Sequence, residues 1–418
     1  MSRATPSHLT NRVRWLTLVG TIITQFALGS VYTWSLFNGH LAQKLDAPIS
    51  QVAFSFGLLS LGLALSSSVA GKLQERFGVR NVAIGAGVLM AVGFYLTSQA
   101  NSLLMLWLSA GVLVGLADGA GYLMTLSNCV KWFPERKGVI SACAIGAYGL
   151  GSLGFKFICS ALLARFSLET TFLIWGALAM SMVILGALMM KDAPRQQPAQ
   201  CNGGSAARDY SLAESMRMPQ YWMLALMFLT ACMSGLYVIG VAKDIGEGLV
   251  HLSTQTAASA VTVIAIANLS GRLVLGVLSD KMARMRVITL AQMVSLLGMS
   301  ILLFTHMSET TFFISVACIA FSFGGTITVY PSLVSDFFGL NNLTKNYGVI
   351  YLGFGIGSVL GSLIASLFGG FTVTFSLIMT LLVISLIMSM IIRMPHKPQS
   401  APQDGSAAEG YSEIRISR

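Results

Sequence analysis

Arg272 lies within an apolar stretch, residues 257–278, eight residues before the next charged residue, Asp280. An arginine near the centre of a membrane-spanning helix costs roughly 2.5–3.5 kcal/mol on insertion scales. It therefore normally faces a bundle interior or a wet cavity and requires a counter-charge. The guanidinium of Arg272 indicates a site that binds an anion. A purely structural ion pair is the alternative.

Asp118 and Lys156 are two further ionisable residues inside apolar segments. Asp118 precedes Trp132 by 14 residues and Lys156 follows Gly138 by 18, so on antiparallel helices their heights would differ by about 6 Å. An ion pair between them would leave Arg272 as one net positive charge, which favours a monocarboxylate such as pyruvate, lactate or formate. Lys156 could instead extend to the membrane interface or contact substrate. Asp118 could be a structural partner or take up a proton during transport.

The composition places these charges in a membrane protein. Of 418 residues, 55% are hydrophobic and 10% are charged, against about 25% charged residues in a soluble domain. Because a spanning helix needs about 20 mostly apolar residues, we predict an all-α polytopic protein with twelve transmembrane helices. The predicted spans 1 to 12 are 15–37, 51–71, 81–99, 103–129, 138–164, 170–190, 220–242, 255–278, 286–306, 311–336, 347–368 and 371–392.

A polar stretch, residues 191–219, divides the spans into two six-helix halves and is predicted to be a cytoplasmic linker. The halves are then residues 15–190 and 220–392, flanked by cytoplasmic tails at 1–14 and 393–418. With both termini inside, 21 of the 26 lysines and arginines are cytoplasmic, as the positive-inside rule requires. The formal charge of +10 then indicates attraction to anionic membrane lipid and not a nucleic-acid partner.

A short motif occurs at the cytoplasmic end of the second span of each half. In the first half it reads GKLQERFGVR and includes Gly71, Glu75, Arg76, Gly78 and Arg80. In the second it begins at Gly276 and includes Asp280, 205 residues after its counterpart. A small residue allows close helix contact, and the acid and base can pair across a short turn. The duplication indicates a parallel repeat with a conformational role.

On these residues the chain resembles the major facilitator superfamily over residues 15–392. Further segments resemble its oxalate/formate antiporter branch, namely YTWSL (32–36), NCVKWFPERKG (128–138), AYGLGS (147–152), FGGTITVYPSLVSDFFG (323–339) and KNYG (345–348). The resemblance implies an alternating-access carrier of small carboxylates, with two pseudo-symmetric halves around a central cavity.

The resemblance also implies which residues contact substrate. Arg272 matches an arginine that closes on the anion in this branch, whereas Phe354 occupies the position of a second cation, a lysine. The loss of that lysine argues against a dianion such as oxalate. The resemblance further implies an aromatic cavity wall, which excludes water and donates hydroxyl hydrogen bonds, formed by Tyr32, Tyr122, Tyr148, Phe323 and Tyr351.

The sequence therefore predicts a monomeric secondary transporter in a bacterial inner membrane, driven by proton symport or anion exchange. We expect no cofactor, because the chain has no phosphate-binding GxxxxGK[ST] loop and no Cys/His metal spacing. An enzyme is disfavoured because all five histidines lie at span ends, in loops or in tails. An oxalate/formate-type dicarboxylate exchanger and a non-transporting sensor of small carboxylates remain the alternatives.

Overall fold

The structure, a computed structural model, describes residues 7–194, 209–368 and 371–395. Throughout these ranges the regular secondary structure is helical, without a strand. Ten helical segments of the described chain are long and apolar enough to cross a membrane. One of them, Phe54–Ser98, has 45 residues and contains predicted spans 2 and 3. The predicted span 11 is divided between two helices, Leu343–Ile350 and Leu352–Phe368, the longer of which has 17 residues. These segments are consistent with twelve crossings.

The first half contains spans 1 to 6. The helical segments that form them are Ser7–Leu28 with the 3-10 helix Gly29–Leu36, Ile49–Ser98, Leu103–Leu106 with the π-helix Trp107–Leu113 and Val114–Trp132, Lys137–Leu163, and Leu168–Met189. The long helix Ile49–Ser98 holds spans 2 and 3, and its backbone turns at Gly78, where φ is 77°. Glycine adopts this conformation without a steric penalty. A short helix, Asn38–Leu45, lies between spans 1 and 2.

The second half repeats this arrangement with spans 7 to 12. Its helices are Pro219–Gly248, Thr254–Lys281, Arg284–Phe304, Glu309–Phe338, Leu343–Ile350 followed by Leu352–Phe368, and Phe371–Ile391. The short helix Leu212–Met216 precedes them. It lies in the predicted linker, where the backbone N–H of Tyr210 donates to the carbonyl of Phe338 at 2.8 Å. Residues 195–208 of the linker lie outside the described chain, as do residues 1–6 and 396–418 of the tails.

In spans 1 and 11 the α-helix is interrupted near the middle of the molecule, which sequence periodicity does not predict. The outer part of span 1 is the 3-10 helix Gly29–Leu36, which carries Tyr32. A side chain at Gly29 would collide with the backbone of Tyr148, so this glycine allows spans 1 and 5 to meet closely. Span 11 is interrupted at Tyr351, between Ile350 and Leu352. Both interruptions place a tyrosine toward the centre of the bundle.

Glycines also hold span 4 against span 2. A β-carbon at Gly111 would lie 2.8 Å from the β-carbon of Leu58, and one at Gly115 would lie 2.5 Å from the carbonyl oxygen of Leu59. One turn further on, Gly119 faces Leu63 in the same way. The G-x-x-x-G spacing therefore brings two backbones into contact, as small residues do in membrane helix pairs.

Candidate anion-binding site

Arg272 joins the two halves near the centre of the molecule. Its Nη1 donates a hydrogen bond of 2.5 Å to the carbonyl oxygen of Ile145 in span 5. The guanidinium lies against Gly149, where a β-carbon would be only 2.8 Å from Nη1. Its Nε is buried and has no hydrogen-bond partner within the described chain. A guanidinium carries five N–H donors, so Arg272 retains donors for an anion.

Four tyrosines form a cluster beside this guanidinium. The ring centroids of Tyr122 and Tyr148 are 4.9 Å apart, those of Tyr32 and Tyr148 are 5.5 Å apart, and those of Tyr122 and Tyr351 are 5.4 Å apart. Arg272 adjoins this cluster next to Tyr148, because its guanidinium lies against Gly149, the following residue of span 5. The structure thus brings together residues from spans 1, 4, 5, 8 and 11 in one aromatic, cationic centre.

Phe354 extends the same cluster in place of a second cation. Its ring stacks on Tyr351 with a centroid distance of 5.2 Å and an interplanar angle of 7°. The side chain is 3% exposed. Span 11 therefore presents an apolar ring, not an ammonium group, beside the tyrosines.

Phe323 lies apart from these rings. It is 6% exposed and packs against Gly235 of span 7, where any side chain would collide with the phenyl ring. No ring contact joins Phe323 to the four tyrosines among the described residues. Its observed contact is packing between spans 7 and 10.

Asp118 is fully buried and bonded to one of the tyrosines, not to Lys156. The hydroxyl of Tyr148 donates to Oδ2 of Asp118 at 2.6 Å, while Oδ1 is buried without a partner in the described chain. Lys156 is exposed. The ion pair suggested by their similar heights is therefore absent from the described residues, because height along a helix does not fix the direction of a side chain.

Several residues of the centre were not predicted from the sequence. Phe56 contacts Tyr32 at a ring-centroid distance of 5.4 Å, and Phe228 contacts Tyr351 at 5.7 Å. Gln25 donates to the carbonyl oxygen of Tyr122 at 2.9 Å. Tyr347 also contacts Tyr351. The one sequence feature that pointed to Tyr347 was its place in the KNYG segment. A buried phenylalanine or glutamine in an apolar helix carries no comparable sequence signal.

The motif of the first half connects the two halves at their predicted cytoplasmic ends. Glu75 forms an ion pair of 2.7 Å with Lys345 of span 11. Gly71 allows this approach, since a β-carbon there would lie 2.7 Å from the γ-carbon of Lys345. The acid therefore pairs across the halves, whereas a pair across its own short turn was predicted.

Other residues of this motif hold the turn between spans 2 and 3. Beyond Gly78, the backbone N–H of Val79 donates to both carboxylate oxygens of Asp192 at 3.1 Å. Arg80 donates to the carbonyl of Leu188 at 3.0 Å. The guanidinium of Arg76 lies 5.4 Å from the ring centroid of the adjacent Phe77.

The motif of the second half caps a helix of the first half. Both oxygens of Asp280 accept hydrogen bonds of 2.8 Å, from the backbone N–H groups of Gly138 and Val139. These N–H groups belong to the first turn of span 5, where a carboxylate is stabilised by unpaired donors and the helix dipole. Gly276 permits the approach, because a β-carbon there would lie 2.7 Å from that of Ala142.

A charged network completes this contact. Arg284 bridges Asp280 at 3.1 Å and Asp336 at 2.5 Å. Asp336 also pairs with Lys137 at 3.2 Å. Together with Glu75–Lys345, these pairs join the predicted cytoplasmic ends of the two halves.

Asp280→Asn is expected to weaken this closed arrangement. The amide loses the charge that the span 5 N-terminus and Arg284 stabilise, and it can accept with only one of its two terminal atoms. We expect cytoplasmic accessibility to rise, measured as alkylation of the thiol in an Ala142→Cys background, with Asp46→Asn as the control on an outer loop. Unchanged alkylation would show that Asp280 does not hold the halves together.

Comparison with known families agrees with this architecture. The sequence pattern of the family described as Major Facilitator Superfamily matches residues 16–332 and also residues 223–418. The two matches overlap, and together they cover most of the chain.

Curated relatives extend this similarity. The chain is 72% identical over 355 residues to the uncharacterized MFS-type transporter YhjX of Escherichia coli (strain K12), covering 85% of this chain and 88% of that protein. It is 25% identical to the oxalate:formate antiporter of Oxalobacter formigenes, covering 81% of each. It is 24% identical to monocarboxylate transporter 13 of Bos taurus, covering 82% and 80%.

Solved structures support the fold. A crystal structure of a variant of the E. coli fucose:proton symporter, FucP, matches with a TM-score of 0.67 at 13% identity, covering 90% of this chain and 97% of that chain. A structure of FucP in the outward conformation matches with a TM-score of 0.61 at 14% identity, covering 89% and 99%. At this identity the similarity concerns the fold alone.

Proposed function

Because the chain belongs to the major facilitator superfamily, and is thus a multi-pass membrane transporter and not an enzyme, we propose that it carries a small monocarboxylate by alternating access. Pyruvate, lactate and formate are the candidate substrates. Transport is coupled to a proton. The chain works as a monomer in a bacterial inner membrane with both termini in the cytoplasm, as the lysine and arginine distribution favours.

The observation on which this proposal rests is one half-buried guanidinium beside a cluster of four tyrosines. Arg272 has unused donors, and a carboxylate can accept two of them side by side. Tyrosine hydroxyls supply further donors, and their rings exclude water, which strengthens the attraction between the charges. A small carboxylate satisfies this arrangement better than a neutral or cationic solute.

The charge balance supports a singly charged substrate, although its basis differs from the sequence prediction. Lys156 does not neutralise Asp118, so the buried charges of the centre are Asp118 and Arg272, which sum to zero when Asp118 is ionised. A bound monocarboxylate adds one negative charge, and one proton on Asp118 restores neutrality. A dicarboxylate would require a second proton or leave a buried negative charge, which is costly.

The names of the relatives are compatible with this class of substrate. One similar protein is named an oxalate:formate antiporter and another a monocarboxylate transporter, and a protein of the same fold is named a fucose:proton symporter. Anion exchange is the second candidate mechanism, because the antiporter shows similarity over 81% of the chain.

Uptake by proteoliposomes tests the proposal. We expect an inward proton gradient to drive accumulation of a labelled monocarboxylate, with unlabelled monocarboxylates competing better than oxalate or other dicarboxylates. Exchange of carboxylates at a rate that does not depend on the proton gradient would favour antiport. A dicarboxylate outcompeting all monocarboxylates would refute the charge assignment, and the absence of saturable transport of any small acid would favour a sensor.

Phe354→Lys is expected to shift selectivity toward dianions. The change places an ammonium group beside Tyr351, adding a second positive charge to the cluster around Arg272. We expect the ratio of oxalate to monocarboxylate affinity to rise by about tenfold or more, the effect of about 1.4 kcal/mol, measured by competition for uptake. Phe354→Met is the matched control, because it keeps an apolar side chain and should leave the ratio unchanged. An unaltered ratio in Phe354→Lys would show that Phe354 does not face the anion.

A further inference from the structure

Lys156 is an exposed cation within span 5, without a partner in the described chain. It precedes the helix end at Leu163 by seven residues, about 10 Å along the axis. None of the ion pairs among the described residues includes it, and Asp118, the partner suggested by helix heights, accepts from Tyr148 instead. A charge at this depth needs water or a counter-ion.

The contacts between spans 5 and 8 indicate the direction in which Lys156 projects from its helix. Those contacts use one stripe of span 5, with members three or four residues apart. Lys156 follows the last member by seven residues, just under two helical turns, so it projects in nearly the same direction. The members of the stripe are Gly138, Ala142, Ile145 and Gly149.

Outward of Gly149, the residues of this stripe no longer contact span 8. Its next positions outward, Leu153 and Lys156, are exposed, and so are Thr262 and Ala265 on the outer part of span 8. These exposures indicate that spans 5 and 8 touch from their cytoplasmic ends to Arg272 and lose contact outward of it. We call the exposed surface between the two helices, outward of Arg272, the outer vestibule.

We propose that Lys156 is the cation of the outer vestibule that draws a small carboxylate from the external solution toward Arg272. Seven residues, or about 10 Å, separate Lys156 from Gly149, against which Arg272 lies. This distance is close to the Debye length at physiological ionic strength, about 8 Å, so the two positive charges act on an approaching anion in succession. The proposal rests on the proposed function, because it assumes an anionic substrate.

Neutralising this charge should slow capture without altering the central site. For Lys156→Gln we expect KM for the monocarboxylate to rise about two- to tenfold in low salt, with kcat unchanged, because a rim charge acts on the association rate. The difference should shrink at about 0.5 M salt, where the charge is screened. Lys156→Arg should retain the wild-type KM. The control Arg165→Gln removes an exposed cation beyond the outer end of the same helix, nine residues further on, and should show no such salt dependence.

A second measurement does not depend on transport. The thiol of Lys156→Cys should react with a membrane-impermeant, negatively charged methanethiosulfonate applied from outside. The control Phe157→Cys replaces a side chain that is 68% exposed but points about 100° away, and should react slowly. The wild-type chain gives the background from its own cysteines.

The outcomes separate the two proposals. A salt-independent or unchanged KM in Lys156→Gln, or a position 156 that the reagent does not reach, overturns the role of Lys156 and indicates that it faces lipid. If no carboxylate is transported by the wild-type chain, the proposed function fails, while the labelling still decides whether position 156 faces an aqueous vestibule.

Discussion

Arg272→Gln is expected to abolish saturable carboxylate binding while leaving a folded carrier. Among the described residues, Arg272 is the cation of the four-tyrosine centre, and a glutamine removes it. Loss of one partner of a buried charge pair costs about 2–5 kcal/mol, or about 30-fold or more in affinity. Folding should persist, because the change removes a charge from the membrane interior, while Asp118 keeps its hydrogen bond from Tyr148. Binding by calorimetry in detergent, with size-exclusion chromatography to check folding, measures both effects.

Two further variants serve as controls for the effect of Arg272→Gln. Arg272→Lys keeps the charge but not the planar, two-pronged donor geometry, so we expect an affinity between those of the wild type and Arg272→Gln. Arg286→Gln removes an exposed cytoplasmic arginine and should bind normally. Normal binding by Arg272→Gln would remove Arg272 from the site and reduce it to a structural link to Ile145.

Asp118→Asn is expected to uncouple transport from the proton gradient. The asparagine side-chain oxygen can still accept from Tyr148, so the local packing is kept, while the group no longer binds and releases a proton. We expect accumulation driven by an inward proton gradient to fall to the equilibrium level. Counterflow exchange of labelled for unlabelled monocarboxylate should continue, because it requires no net proton movement.

Tyr148→Phe is the companion variant for this prediction. It removes the hydroxyl that bonds Asp118 at 2.6 Å and keeps the ring that contacts Tyr122 and Tyr32. We expect weakened coupling with proton-driven uptake still measurable, since the carboxyl remains. Undiminished accumulation by Asp118→Asn would exclude Asp118 as the proton-binding group and favour anion exchange.

Local patterns in the sequence are enough to predict the membrane class, the helical architecture and the importance of Arg272. Apolar segments about 20 residues long predict helices, because only helices satisfy backbone hydrogen bonds within one segment in lipid. The doubled motif at Gly71 and Gly276 predicts two related halves. These features depend on residues near one another in the chain, so the sequence alone is enough to predict them.

Pairings between distant segments required the tertiary structure. Helix heights suggested that Asp118 pairs with Lys156, yet Asp118 accepts from Tyr148 while Lys156 is exposed on span 5. Glu75 pairs with Lys345, 270 positions away, and Asp280 caps span 5 of the opposite half. Helix rotation and the packing of one half on the other determine which side chains meet, and no local pattern records either.

The sequence alone thus determined that one arginine lies inside the membrane and that the position of a second cation holds Phe354. The tertiary structure decided what surrounds that arginine: four tyrosines from four spans, the backbone of span 5, and no carboxylate bonded to it within the described chain. The physical reason is that burying a charge costs free energy wherever it lies in an apolar helix, whereas its partners depend on how five separate helices pack.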